Sequence, residues 1–286
     1  MQTQIRELQQ RIPAQATTDG DGVNISRVAP PLKAGLLDPF LLLDEIVSDD
    51  AADYIGGFPP HPHRGFETVT YMIDGAFSHK DHLGNEGRLV AGGVQWMTAG
   101  KGVIHSEMPE QDEGRLHGFQ LWINLPAAEK MSPPQYREIH PAQIPVITTT
   151  HGVVAKVIAG QLILDGQSVT GPVTEVTSQP DYIDLYLPAD STIEIPVDPD
   201  KKVLLMVFEG ELKVGDKDSL LKQQEMGILG EGNSLQLKTG QSSARLLLLA
   251  GRPLKEPIAN WGPFVMNTAE EIEKAIQDYR DGRLTD

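Results

Sequence analysis

Residues 60–75 read PHPHRGFETVTYMIDG, and residues 100–109 read GKGVIHSEMP. Side chains at i and i+2 share one face of a strand but not of a helix, and Pro62 is incompatible with a helix interior. Both segments therefore read as strand. On that reading His61 and His63 project together, and Gly65 and Glu67 continue the same face. His105 and Glu107 form a second pair with the same spacing. Two neighbouring strands can then direct three imidazoles and a carboxylate at one point. That donor set suits a divalent transition metal with positions left for water, substrate or oxygen. Gly100 and Gly102 mark a tight turn that can deliver His105. A lone His-x-His is usually incidental, and Glu67 and Glu107 could each be ordinary surface carboxylates. The functional reading rests on the conjunction of two equally spaced pairs in strand segments punctuated by Gly and Pro.

Outward from this stretch the pattern repeats. Short apolar runs at 68–73, 117–125, 182–187, 202–208 and 245–249 alternate with turns such as Asp74-Gly75 and Glu209-Gly210. With 28 Gly and 21 Pro spread through the chain, this is the pattern of an all-β sandwich or barrel. The halves echo each other: 71–75 resembles 207–210, 87–102 has a counterpart in 220–232, and 117–125 in 245–252. Two similar β units are expected, residues 1–135 and 136–286, with the Pro-rich stretch 126–145 joining them. One helix is predicted near the end. Thr268-Ala269-Glu270-Glu271 is a capping box, after which Ile272, Ala275, Ile276 and Tyr279 share a face and Gly282 suits the stop.

The bulk properties exclude several classes. The chain has 286 residues, ample for two ordinary cores. It has no cysteine, so disulfides and thiolate metal sites are excluded and any metal is held by His, Asp or Glu. A net charge of −16 without a basic cluster disfavours direct binding to nucleic acid or anionic lipid. No apolar run is long enough to span a bilayer, and the opening Met1-Gln2-Thr3-Gln4-Ile5-Arg6 does not read as a secretory signal. A monomeric cytoplasmic protein is expected.

The segment from His61 to Glu67, followed by Gly75, resembles the first cupin motif, and Gly93 through His105 resembles the second. A more specific resemblance is to the pirin family. It is carried by Asp38-Pro39-Phe40-Leu41-Leu42-Leu43-Asp44-Glu45, by residues 60–70, and by Gln95-Trp96-Met97-Thr98-Ala99-Gly100 with His105-Ser106-Glu107-Met108-Pro109. His117-Gly118-Phe119-Gln120-Leu121-Trp122-Ile123-Asn124-Leu125 and Gly262-Pro263-Phe264-Val265-Met266-Asn267-Thr268 extend it over nearly the whole chain. The resemblance implies a bicupin, two cupin β-barrels with a C-terminal helix, and a single metal site in the N-terminal barrel. It places the ligands at His61, His63, His105 and Glu107. From position 151 onward the sequence holds only His151, so a second site of that kind is not expected in the C-terminal half.

The resemblance also implies an activity. Pirin-like proteins include quercetin 2,3-dioxygenases, which open the heterocycle of flavonols with O2 and release carbon monoxide. Iron(II) is the first choice of metal, although His and carboxylate ligands also suit Mn, Ni, Cu or Zn. A carboxylate must accept the proton of the flavonol hydroxyl. Glu107 is favoured as that base and Glu67 comes second, the other use of Glu67 being to orient a ligating imidazole. The partners implied are a flavonol-like aromatic and O2. The competing reading is a non-catalytic, iron-binding, redox-sensitive regulator that binds a transcription factor or an enzyme. Among the remaining residues, His117 reads as a satisfied core histidine and Arg64 as structural. Trp96 and Trp122 read as core packing rather than as pocket walls. His79, His82, His140 and His151 read as solvent-exposed.

Overall fold

The computed structural model describes residues 2–29 and 35–286. The chain forms two compact units, each an all-β cupin fold. One comprises residues 15–141 and 254–286, the other residues 1–14 and 142–253. The division expected between 135 and 136 is therefore corrected at both chain ends. The reason lies in strand pairing. Strand Leu8–Pro13 completes the sheet of the C-terminal unit against Glu225–Leu229, and the C-terminal helix belongs to the N-terminal unit.

In the N-terminal unit the strands are β1 (Gln15–Asp19), β2 (Val23–Val28), β3 (Phe40–Ser48), β4 (Phe58–His63), β5 (Phe66–Asp74) and β6 (Ala76–Asp81). They continue with β7 (Glu86–Val90), β8 (Val94–Thr98), β9 (Val103–Pro109), β10 (Leu116–Asn124) and β11 (Gln135–Ile139). A seven-stranded sheet has the order β11-β8-β5-β10-β3-β2-β1, and a four-stranded sheet the order β4-β9-β6-β7. All pairings are antiparallel. Strand β4 carries Pro59, Pro60 and Pro62 and sits at the edge of its sheet, where a missing N–H costs no ladder bond.

The chain passes from the small sheet to the large one through Arg64 and Gly65. Gly65 has φ +90°, and a Cβ there would stand 2.0 Å from the Val265 carbonyl oxygen. Only glycine fits that turn. Arg64 is buried and ties the C-terminal segment down. It donates to Asp278 Oδ2 at 2.8 Å and to the Leu284 carbonyl at 3.0 Å, and its Nε donates to the Lys101 carbonyl. Its structural reading stands. Lys130 is likewise buried and donates to the carbonyls of Gly65 and Val265 and to Asn124 Oδ1.

The helix (α1) runs Ala269–Arg280 with both arms of the capping box formed. It buries Ile272, Ala275 and Asp278, whereas Tyr279, expected on the packed face, is 42% exposed. Asp278 takes an inward place because Arg64 offers it a charge-assisted bond.

The C-terminal unit repeats the sheet order strand for strand. Its large sheet runs Leu8–Pro13, Glu225–Leu229, Lys202–Glu209, Ala244–Gly251, Asp181–Leu187, Val154–Ala159 and Val146–Thr148. The interior is filled by aliphatic side chains, among them Leu205, Val207, Leu246 and Leu248, each at most 1% exposed.

Candidate metal centre

Strand β9 lies between β4 and β6, and the register fixes what meets what. His105 is opposite His61, and Val103 is opposite His63. On the other side Glu107 is opposite His79, and His105 is opposite Asp81. His61, His63 and His105 each offer one ligand atom, and these atoms lie within 4.8 Å of one another. The Nε2 atoms of His61 and His63 are 3.1 Å apart, and His61 Nδ1 lies 2.8 Å from the Pro59 carbonyl oxygen. His61 and His63 thus meet His105 of the second pair on the adjacent strand.

His63 and His105 are buried, at 2% and 1% exposure. Burial, and then the neighbouring imidazoles, hold both well below the ordinary imidazole range. They are therefore neutral, which is the form that binds a metal. Glu107 is 2% exposed. Its Oε1 accepts from Thr70 Oγ1 and Gln95 Nε2, each at 3.0 Å, and its Oε2 accepts from Gln120 Nε2 at 2.8 Å. All three donors are neutral side chains. Nδ1 of His63 and both ring nitrogens of His105 lack hydrogen-bond partners. A buried anion beside unpartnered neutral imidazoles fits a divalent cation.

Glu107 groups most closely with His105 and His79, its ligand atom lying within 4.8 Å of theirs. His79 was expected in solvent; it is 1% exposed. The misreading came from its polar neighbours Ser78 and Lys80, which point the other way on β6. The period-2 alternation of that strand was the available signal. His82, His140 and His151 are exposed as expected.

Glu67 is not part of the centre. Thr70 reaches Glu107, and β5 runs in unbroken register with β8 from Glu67 to Tyr71, so Glu67 faces the opposite side of the sheet. There its Oε1 accepts from Thr98 Oγ1 at 2.7 Å, and burial raises its pKa. The expected shared face of His61, His63 and Glu67 fails because the Arg64–Gly65 turn ends one strand and starts another in a different sheet. The roles expected for Glu67, base or imidazole partner, fail with it. His117, on the outer face of β10, pairs with Glu45 at 2.8 Å, as a satisfied core histidine should.

A cleft of about 830 Å³ opens onto His61 and His63. Trp122 lines it, against the expectation of core packing, and packs on Phe66 with centroids 4.3 Å apart and planes tilted by 33°. Its edge meets His63 at 5.4 Å. The indole N–H donates to Gln120 Oε1 at 3.0 Å, so Gln120 links the aromatic wall to Glu107. Leu42, Ile46 and Phe58 add apolar surface, and Pro263 lines the cleft as well. Arg27 also borders it, held bidentately by Asp44 at 2.7 and 2.8 Å and by Asp19 at 2.6 Å. Trp96 remains core packing, 5% exposed. Among the described residues no helix is long and apolar enough to cross a membrane.

Comparison with known proteins adds identity to this geometry. Residues 22–123 match the Pirin family, and residues 182–285 match the Pirin C-terminal cupin domain. A Pseudomonas aeruginosa protein named "Putative quercetin 2,3-dioxygenase" is 48% identical over 284 residues, covering 99% of each chain. A Caulobacter vibrioides "Pirin-like protein" is 46% identical over 283 residues, covering 98% of this chain and 99% of its own. Among solved structures, a quercetin 2,3-dioxygenase from Acinetobacter baumannii superimposes with a TM-score of 0.89 at 34% identity, covering 98% of this chain and 99% of that one.

Proposed function

The chain belongs to the pirin family, and from that premise we propose that it is a metal-dependent dioxygenase of flavonol-like aromatics with iron(II) as its metal. The ligands are His61, His63, His105 and Glu107. The observation that carries this reading is the juxtaposition of an imidazole triad, with His63 and His105 buried and His61 half-buried, with a cleft walled by Trp122. When bound, the ion would supply Lewis acidity toward an enolisable hydroxyl and a redox partner for O2.

The residues of the chain do the rest. A planar aromatic enters between Trp122 and the apolar residues Leu42, Ile46 and Phe58, and the cleft size suits such a molecule. His61 and His63 line the same cleft. Glu107, the carboxylate at the metal, takes the hydroxyl proton, and Gln95, Gln120 and Thr70 hold it in place. Arg27, bridged by Asp19 and Asp44, meets the polar edge of the substrate.

One purification with two measurements tests this. Elemental analysis should find a transition metal bound to the wild type and lost in His61→Ala. Oxygen uptake with flavonol bleaching should follow metal content. A metal-free wild type would sink the centre, and full metal occupancy with no flavonol turnover would sink the dioxygenase reading.

A further inference from the structure

One register row of the large sheet is polar where its neighbours on the same face are not. Arg27 of β2 is opposite Asp44 of β3, and Asp44 is opposite Gln120 of β10. Gln120 is opposite Thr70 of β5, and Thr70 is opposite Gln95 of β8. Two residues along each strand, on the same face, stand Leu42 and Ile46, Trp122 and Met72. At one end the row has a task, because Thr70, Gln95 and Gln120 all donate to Glu107. At the other end Arg27 and Asp44 line the cleft and make no contact with that carboxylate.

This end is a buried ion pair with a donor to spare. Asp44 is 6% exposed. It accepts from Arg27 Nε at 2.8 Å and from Nη2 at 2.7 Å, and Nη2 also donates to Asp19 at 2.6 Å. Nη1 has no protein partner among the described residues. A buried ion pair contributes little stability compared with apolar side chains of similar shape, and apolar side chains fill positions 42 and 46 on the same face. The two carboxylates fix the plane of the guanidinium and leave one of its amino groups for a ligand. They also set the charge there, one cation against two anions, with Asp21 lining the cleft as well. An anionic group is repelled from such a corner, whereas an uncharged oxygen is accepted. Arg27 and Gln120 stand two strands apart, roughly 10 Å at ordinary strand spacing. A planar aromatic with one oxygen at the metal and another on a remote ring spans that distance.

We propose that Arg27 is a specificity-determining residue: held by Asp44 and Asp19, it donates from Nη1 to an uncharged hydroxyl or carbonyl oxygen on the ring of the substrate remote from the metal, and its carboxylate partners exclude substrates with an anionic group at that place. The inference rests on the flavonol reading above for the other end of the ligand, and the experiment separates the two.

The full-length, metal-loaded chain is dialysed to equilibrium without O2 against 3-hydroxyflavone, 3,7-dihydroxyflavone and 3,4'-dihydroxyflavone, so that binding is read without turnover. Wild type should bind one of the two dihydroxy compounds about tenfold more tightly than 3-hydroxyflavone, the worth of one hydrogen bond from a charged donor. The Arg27→Gln, Asp44→Asn double variant removes the pair without leaving a lone buried charge, and the ratio should fall to near one. The carboxylate analogue of the preferred hydroxyl compound should bind wild type poorly, and Asp19→Asn should raise its affinity several-fold relative to the hydroxyl compound. Equal binding of all three flavonols by wild type, or an unchanged ratio in the double variant, overturns the Arg27 contact and leaves the flavonol reading standing. No binding of any flavonol overturns both. If the double variant fails to fold, Asp19→Asn decides, since its carboxylate is half exposed; unchanged discrimination against the carboxylate overturns the proposal.

Discussion

Gln120→Leu tests whether Glu107 is a buried charge held by neutral donors. Gln120 Nε2 supplies the one hydrogen bond to Glu107 Oε2, at 2.8 Å, while Thr70 and Gln95 share Oε1. A hydrogen bond to a charged group contributes about 1.5–3 kcal/mol. The substitution also strips the Trp122 indole of its acceptor, about 1 kcal/mol more. Leucine preserves most of the volume, so packing adds little. The metal-free protein should therefore lose about 3 kcal/mol. In a Glu107→Gln background the charge is gone, and the same change should cost about 1 kcal/mol, a coupling of about 2 kcal/mol. The assay is urea unfolding of the four metal-free proteins followed by tryptophan fluorescence. Trp96, Trp122 and Trp261 all lie in the N-terminal unit, so the signal reports on that unit alone. Additivity within about 0.5 kcal/mol would refute the reasoning, because it would mean that Gln120 does not sense the charge on Glu107.

Three further outcomes are expected. Arg64→Met removes the donor to Asp278 and to the Leu284 carbonyl; breaking this buried pair should destabilise the unit by about 3–5 kcal/mol, and native-state hydrogen exchange should show the amides of Ala269–Arg280 opening first. Unchanged protection there would count against the anchoring role. Lys130→Met leaves three acceptors unmet and should cost about 3 kcal/mol, read from the same fluorescence transition; a loss near zero would mean that water replaces the ammonium. The third outcome concerns pH. His63 and His105 have folded pKa values held well below the ordinary range, so the unfolded chain binds more protons once pH falls below about 6.5. Stability of the metal-free N-terminal unit is thus fully present above that pH and declines as pH drops toward the folded values. His105→Gln should flatten the decline, and an equal slope in wild type and variant would contradict it.

The sequence was legible where period 2 holds within one strand and opaque where it depends on which strand lies alongside. His61 with His63, and His105 with Glu107, are each read from one strand; His61, His63 and His105 come together, while Glu107 groups with His105 and His79. Glu67 was misassigned because the alternation was carried through Gly65, where the chain changes sheets and the parity resets. His79 was missed because its meaning comes from pairing with Glu107, 28 positions later, and Ser78 and Lys80 gave the segment a polar look. The repeat of the two halves was legible as turn spacing. The crossing of Leu8–Pro13 to the C-terminal unit was not, because LQQRIP is a polar edge strand with nothing local to name its partner. The capping box was legible to the residue, since Thr268 and Glu271 close it within four positions of one another. Trp122 was misread because an aromatic on a strand looks the same whether a core or a cleft lies beyond it.

The two barrels share a sheet order but not an interior, and this difference places the candidate centre in one of them. In the N-terminal unit the three central strands β5, β8 and β10 each aim a polar side chain inward, namely Thr70, Gln95 and Gln120, and all three end on Glu107. The matching strands of the C-terminal unit present Leu205 and Val207, Leu229, and Leu246 and Leu248, all buried in its core. Polar groups inside a barrel are tolerated only when each has a partner, and a buried carboxylate among neutral donors remains short of a positive charge. An apolar interior has no such demand and contributes packing instead. A single barrel would have to meet both requirements with the same residues. Two copies of the topology in one chain allow them to be met apart, with one interior filled for stability and the other left polar around the Glu107 carboxylate.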